Sequence, residues 1–398
     1  MSKDTAVFNS EAKDAKKLKR QKMLENRIIA VDYGFGYTKA CDEFGTKVKF
    51  LSLSKRYMEP KIEQDIELQE YLAVIDGTKY QIGEFAKIGD VTKMWDMLQA
   101  TDPLNLKIFI GASLNLIVSK NPSKYPKGED GAIHLNLSVG LPIDLFKTQK
   151  PELEKILKDM NTTVAIGKNK YTFIIDSLLI SQQGVGAFFA FAYDMAGNQR
   201  GLDDIAKELE SYMIANPDGA TPDYKSFAQQ IINFGLGFCD IGYNTLDCFK
   251  ITKKNKQFII VDESAFSLEN KGIHNYHEKA LTNIIIDRGP IVKDIIACES
   301  ALEETGGEIK HGRQIINIKP YFDNIYNELA YDFKNSINQK WGGVNDLGAI
   351  LLCGGGSYSL YGKLDLPVTV FIMKDAEYAN AVGFVIKMSA IINNMKQK

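Results

Sequence analysis

The chain has 398 residues, 45% of them hydrophobic and 25% charged, with a formal net charge of −2. That length allows two domains of ordinary size, and the near-neutral balance excludes a global field for nucleic acid or for a membrane surface. No run approaches the roughly 20 apolar residues of a bilayer-spanning helix, the N-terminus has no hydrophobic signal core, and five cysteines without a Cys-x-x-Cys pair fit a reduced cytoplasmic protein with buried thiols.

Residues 1–26 form a polar extension around Lys16-Lys-Leu-Lys-Arg-Gln-Lys22, and through Arg27 it carries eight basic and four acidic residues, leaving about −6 for the remainder. A solvated extension is expected there. From Arg27 a three-strand meander is expected through Asp32, Tyr37–Cys41 and Lys47–Leu53. Its first strand, Ile28–Val31, is apolar and β-branched. It ends in Asp32-Tyr-Gly-Phe-Gly-Tyr-Thr-Lys39, where Gly34 and Gly36 let the backbone bend and bring its N–H groups to an anion. A polar stretch, Lys55–Gln69, precedes a hairpin, Tyr71–Ile75 with Lys79–Gly83, about Asp76-Gly77. These segments read as a peripheral subdomain over about 54–100. The spacing of Leu104, Leu106, Ile108, Phe109, Leu114 and Ile117 predicts a helix over Pro103–Ser119. A strand follows at Ala132–Val139, with Ile133, Leu135, Leu137 and Val139 on one face and His134 on the other. Pro151–Met160 is expected as a short helix and Tyr171–Ile175 as a strand.

Leu178-Leu-Ile-Ser-Gln-Gln-Gly-Val-Gly-Ala-Phe-Phe-Ala190 reads as a strand end turning into an apolar helix, with Gln182 and Gln183 at the turn. A long polar stretch occupies 196–225, with one helix expected over Gly201–Met213. The meander then repeats as Ile232–Asp240, Thr245–Ile251 and Gln257–Asp262. Its loop, Asp240-Ile-Gly-Tyr-Asn-Thr245, is a quasi-repeat of the first, 208 residues downstream. Two such loops point to two similar domains that grip a polyphosphate from both sides, and one aspartate per loop suits a hydrated Mg²⁺. A helix is expected from His274; His274 and His277 share a face, but no accompanying Cys or carboxylate pattern supports a metal site. Glu303–Arg313 reads as a charged helix, Tyr321–Ile337 as a helix, and Ala349–Cys353 as a buried strand before Gly354-Gly-Gly-Ser357. Asp375–Phe384 begins the last helix.

The two loops, the Gln182-Gln183 turn, the glycine-rich turn and the final helix occur in the order found in the actin, sugar kinase and heat-shock ATPase superfamily. The chain resembles that superfamily, and within it the bacterial ParM-type plasmid-segregation actins. Asp375-Ala-Glu-Tyr-Ala-Asn-Ala-Val-Gly-Phe384 is similar to their terminal Asn-(Ala/Val)-x-Gly pattern. Val139-Gly-Leu-Pro142 resembles their Gly-Leu-Pro strand ending, and Gln183-Gly-Val-Gly-Ala187 their Glu-x-x-x-Ala helix start.

The resemblance implies an α/β actin-like ATPase fold, with two related domains, each a mixed β-sheet flanked by helices, and a nucleotide in the interdomain cleft. Domain I would comprise 27–182 plus 373–398, and domain II 183–372 with an insertion at about 196–230. The cofactors implied are ATP, with GTP left open, and Mg²⁺ held through water by Asp32 and Asp240. Gly34, Gly36, Tyr37, Thr38 and Lys39 would form the first phosphate loop, and Gly242, Tyr243, Asn244 and Thr245 the second. Gly354, Gly355, Gly356 and Ser357 would flank the nucleoside, with Lys310 or Arg313 offered to base or ribose. ParM-type proteins carry a glutamate where this chain has Gln183. Glutamine orients water but accepts no proton, so slow hydrolysis is expected, with Gln182 the candidate if the register slips by one. The implied partners are copies of the chain in a helical filament and a DNA-binding adaptor on centromere-like plasmid DNA, without direct nucleic acid or membrane contact. A small-molecule kinase on the same fold, with Asp144 as the nearest acidic candidate, and a weakly hydrolysing cell-division-type scaffold are the alternatives.

Overall fold

The computed structural model describes residues 23–58, 72–87, 92–93, 101–158, 160–217, 219–255 and 257–397. The core of the basic extension, most of Lys55–Gln69 and much of the 54–100 stretch lie outside them. Two compact units divide the chain, one within Met1–Leu141, Leu145–Gln199 and Asn380–Lys398, the other Pro142–Asp144 with Arg200–Ala379.

The first unit is built on a ten-stranded mixed sheet. In chain order its strands are β1 (Arg27–Tyr33), β2 (Tyr37–Asp42), β3 (Lys47–Leu51), β4 (Leu53–Arg56), β5 (Leu72–Ile75), β6 (Thr78–Ile82), β7 (Thr92–Lys93), β8 (Ile133–Leu141), β9 (Asn161–Ile166) and β10 (Asn169–Gln182). The spatial order is β3-β2-β1-β8-β10-β9-β5-β6-β4-β7, so the described strands of the 54–100 stretch extend this sheet. β1 pairs antiparallel with β2 and parallel with β8, and β8 pairs parallel with β10.

Every residue of β1 after Arg27 is buried, because both faces of the sheet are covered. Ile29 and Val31 join the core that helix α1 (Pro103–Lys120) closes, while Ile28 and Ala30 pack with Phe384, Val385 and Met388. Asp102 caps α1 by accepting from the Asn105 N–H at 2.8 Å, and Pro103 opens it without needing a partner for a missing N–H. The helix is buried almost all round. Asn115 Nδ2 donates to the Val164 and Asn169 carbonyls, which ties the β9–β10 hairpin over its far side.

Helix α2 (Ile143–Lys158) starts eight residues before the expected Pro151, which lies inside it. α3 (Val185–Ala192) follows β10, and the last helix, called α9 below in chain order, spans Ala379–Lys396. His134, on the face expected, bonds Asp176 Oδ2 through Nδ1 at 2.7 Å and Asp130 Oδ2 through Nε2 at 3.0 Å.

The second unit contains α4 (Leu202–Glu210), β11 (Met213–Ile214), α5 (Tyr224–Phe234), β12 (Leu236–Ile241), β13 (Thr245–Lys254), β14 (Gln257–Glu269), α6 (Ile273–Arg288), α7 (Ile295–Thr305), the hairpin β15 (Glu308–His311) and β16 (Gln314–Asn317), α8 (Lys319–Trp341), β17 (Ala349–Cys353) and β18 (Val370–Ile372). Its main sheet runs β11-β18-β17-β12-β13-β14. The run β14-β13-β12-β17-β18 repeats the order and senses of β3-β2-β1-β8-β10: two antiparallel pairings, then two parallel ones. The loop repeat in the sequence is thus one corner of a repeated five-strand unit.

Two expectations are corrected here. Ile232 belongs to α5, not to the strand: Asp223 caps that helix on the Ser226 N–H, and Gly235 ends it at φ 87°, a conformation L side chains resist. Glu303–Arg313 is not a helix. α7 stops at Thr305, and Lys310 lies on the exposed β15 with Arg313 beside the Gly312 turn. All five cysteines are free and buried, and no helix among the described residues is long and apolar enough to cross a membrane.

Candidate phosphate and nucleoside sites

In the first unit, the β1–β2 turn places Asp32 opposite Lys39 and Tyr33 opposite Thr38. The turn is held from behind by Ser52. Its N–H donates to the Gly36 carbonyl at 2.9 Å, its Oγ donates to the Gly34 carbonyl at 2.6 Å, and Thr38 Oγ1 lies 2.9 Å from that Oγ. Ser52 thus ties the Gly34 and Gly36 carbonyls back from behind the turn. The Thr38 hydroxyl, expected at the phosphates, is fully buried and braces the turn.

Asp32 is 4% exposed and has two partners. Gln183 Nε2 donates to Oδ1 at 2.8 Å, and Lys39 Nζ lies 3.9 Å from Oδ2. Burial raises the Asp32 pKa, against the opposing pull of Lys39 and the Gln183 hydrogen bond. Lys39 therefore points along the aspartate's face of the hairpin, with its side chain 15% exposed. Of the two glutamines it is Gln183 whose amide reaches Asp32. Its position is set by its own N–H, which donates to Leu141 O at 2.8 Å, and by Asn380, whose Oδ1 accepts from the Gly184 and Ala187 N–H groups at 2.8 and 3.2 Å. Asn380 thus caps α3 from the first turn of α9.

In the second unit, Asp240 is 5% exposed at the end of β12, opposite Asp247 on β13. Helix α6 abuts the 242–244 turn. The N–H groups of Gly272, Ile273 and His274 donate to the carbonyls of Asn244, Gly242 and Tyr243 at 3.1, 3.1 and 2.9 Å. A side chain at Gly272 is excluded, since its Cβ would lie 2.4 Å from the Asn244 carbonyl carbon. Tyr243 stacks on His274, with ring centroids 4.7 Å apart. Thr245 Oγ1 donates to Asp247 Oδ2 at 2.9 Å, and burial, with the Asp240 charge beside it, pushes the Asp247 carboxyl up to about 7.

The glycine-rich turn after β17 meets the same corner. Gly354 has φ 81°, its N–H donates to Ala376 O at 2.9 Å, and a Cβ there would lie 2.4 Å from Asp240 Oδ1. Gly355 faces open space, and Gly356 fits against Ile241, where a Cβ would meet Cγ2 at 2.6 Å. Ser357 Oγ turns inward to donate to Gly354 O at 2.7 Å. Among the described residues no three metal-ligating side chains converge.

A family model described as the N-terminal domain of actin-like proteins matches residues 30–186, and one described as the C-terminal domain of archaeal MreB-like actin homologues matches 238–365. This chain belongs to the actin-like superfamily. The actin-like fold is shared with solved structures at low identity. A 15-stranded ParM filament from Clostridium botulinum aligns with TM-score 0.70 and 20% identity over 94% of this chain and 99% of that one. A non-polymerisable quadruple mutant of pCBH ParM gives 0.69 and 20% over 91% and 98%. The archaeal actin homologue Ta0583 in complex with ADP gives 0.62 and 18% over 90% and 98%. No curated protein matches the chain in sequence.

For an actin-like protein, the supporting residues were harder to read than the loops. Ser52 and Asp247 carry no motif of their own, and the capping role of Asn380 shows only when its contact 196 residues away is known.

Proposed function

We propose that this chain is a ParM-like bacterial actin. It binds ATP or GTP with Mg²⁺, hydrolyses it slowly, and assembles with its own copies into a nucleotide-dependent filament that segregates plasmid DNA through a DNA-binding adaptor. The observation that carries the reading is the Gln183–Asp32 hydrogen bond at the first hairpin, because it fixes what each group is free to do. With Nε2 spent on Asp32, Gln183 keeps Oε1 as an acceptor for a water O–H. It orients the water and takes no proton, which fits slow turnover.

The backbones of the 33–38 and 243–245 turns would approach phosphate oxygens, the Gly242 N–H being held by Thr245 O at 2.9 Å, and Gly354, Gly355 and Gly356 leave room for the nucleoside. Asp32 and Asp240 fit Mg²⁺ as acceptors for its water, and the ion when bound neutralises charge on the phosphates. Lys39 offsets the negative charge of Asp32. Self-association into a filament follows from a head-to-tail contact that does not close on itself, and nucleotide state sets its strength. A formal net charge of −2 supplies no global field for direct DNA contact.

Calorimetric titration of the purified chain with ATP, GTP and ADP tests the first step. One nucleotide per chain, bound more tightly with Mg²⁺, is expected. No heat of binding with any nucleotide, with or without Mg²⁺, would overturn the reading.

A further inference from the structure

Helix α6 begins at Gly272 without a side-chain cap. The first N–H groups at its entry are satisfied by the second phosphate turn instead: Gly272, Ile273 and His274 donate to the carbonyls of Asn244, Gly242 and Tyr243. In a trans peptide the N–H points opposite to the C=O. With the Gly242 and Tyr243 carbonyls turned toward α6, the N–H groups of Tyr243 and Asn244 therefore point away from the helix. One side chain of the same helix turn reaches the loop as well. The His274 ring stacks on Tyr243, with 4.7 Å between centroids and 22° between planes, and its Nε2 lies 3.4 Å from Glu278 Oε1 one turn further along α6. The two histidines expected on one face thus have separate partners. His277 directs Nδ1 to Glu299 on α7 at 2.7 Å and Nε2 to Tyr326 on α8 at 3.1 Å, while His274 packs on the phosphate turn.

We propose that His274 is a positioning residue for the second phosphate turn: its ring, oriented by Glu278, braces Tyr243 so that the 243–245 backbone keeps the orientation that meets phosphate. The inference rests on the nucleotide-binding reading above, and it gives His274 no contact with the ligand. Backbone hydrogen bonds fix the carbonyls of the turn, and the stack fixes the one aromatic side chain within it. Helix and turn support each other, since the carbonyls that cap α6 are the ones whose peptide planes aim the Tyr243 and Asn244 N–H groups. A brace at this place acts on the phosphate chain and not on the base. Its loss weakens every ligand that carries the polyphosphate by the same factor, and any aromatic ring that restores the stack restores the binding.

The test separates a brace on the phosphate turn from a contact with the base and from a charge on the imidazole. A fluorescent ATP analogue is titrated with Mg²⁺ into the full chain as wild type, His274→Ala, His274→Phe, Tyr243→Ala and the double variant Tyr243→Ala with His274→Ala, and competition by inorganic tripolyphosphate is measured on each. His274→Ala should weaken the nucleotide and tripolyphosphate alike, by about tenfold. His274→Phe keeps an aromatic face against Tyr243 and should stay within about threefold of wild type, and the double variant should bind no more weakly than Tyr243→Ala alone. Nucleotide binding within about twofold of wild type in His274→Ala would overturn the proposal, as would a loss confined to the nucleotide, or equal losses in His274→Ala and His274→Phe. If His274→Ala fails to fold, Tyr243→Ala removes the same stack from the side of the turn and is compared with His274→Phe in its place. A wild type that binds neither ligand would instead remove the nucleotide reading on which the inference rests.

Discussion

Gln183 Nε2 lies 2.8 Å from Asp32 Oδ1, a side-chain bond spanning 151 residues that joins the end of β10 to the end of β1. It makes the aspartate an orienting group for the glutamine and leaves the glutamine's carbonyl for water. Removing the amide separates binding from hydrolysis. In Gln183→Ala, nucleotide affinity should stay within about threefold of wild type while phosphate release falls at least about tenfold, the pattern of an interaction made in the transition state. Single-turnover phosphate release measures it. A variant that hydrolyses at the wild-type rate would remove the assignment.

Asp240 should act on Mg²⁺ affinity. It is buried at the close approach of Gly354 and faces Asp247 across the β12–β13 pair. Asp240→Asn keeps the volume and loses the charge. Nucleotide binding with Mg²⁺ should weaken about tenfold or more, and binding in EDTA should change little. Equal affinities for wild type and variant at every Mg²⁺ concentration would count against a paired-loop site.

The crossing of α3 and α9 tolerates no side chain. A Cβ on Gly383 would lie 1.6 Å from the Gly186 carbonyl oxygen, which is backbone and cannot rotate away. Gly383→Ala should cost about 3 kcal/mol or more, read as a lower urea midpoint. A midpoint equal to wild type would show that α9 does not pack so closely.

His134 should make stability depend on pH. Burial pulls its pKa down, but hydrogen bonds and charge from Asp176 and Asp130 outweigh that and raise it. A histidine whose folded pKa is raised contributes stability that is fully present below the unfolded value, about 6.5, and is lost as pH rises through the folded pKa. His134→Gln should therefore destabilise the fold more at pH 5.5 than at pH 9, by on the order of 1 kcal/mol, read as a larger drop in melting temperature at the lower pH. The same loss at both pH values would mean the imidazolium contributes nothing.

The paired loops were legible because a turn that needs backbone N–H groups near an anion needs glycine, and Asp-x-Gly appears twice in similar frames. The order of strands was not legible. β9 and β10 extend the first sheet into β5 and β6 through pairings that no local pattern specifies. Ile231-Ile232 reads as the start of a strand because α5 and β12 are both apolar there; the boundary lies in the Asp223 cap and in Gly235, which interrupt the run without changing its hydrophobicity. Lys310 looked helical by composition, yet the Gly312 turn pairs its strand with Gln314–Asn317. The Gln183–Asp32 contact itself was half visible. Each residue stood out in its own motif, but only the parallel pairing of β1, β8 and β10 brings their ends to one edge.

In the proposed function, nucleotide state controls self-association. Right-angle light scattering with parallel phosphate release, on purified protein with Mg²⁺ and ATP, GTP, ADP or no nucleotide, follows both at once. Scattering should rise above a critical concentration only with a triphosphate, then decay as phosphate appears. A flat trace at every concentration, accompanied by phosphoryl transfer to an added small molecule, would contradict it and favour a kinase on this fold.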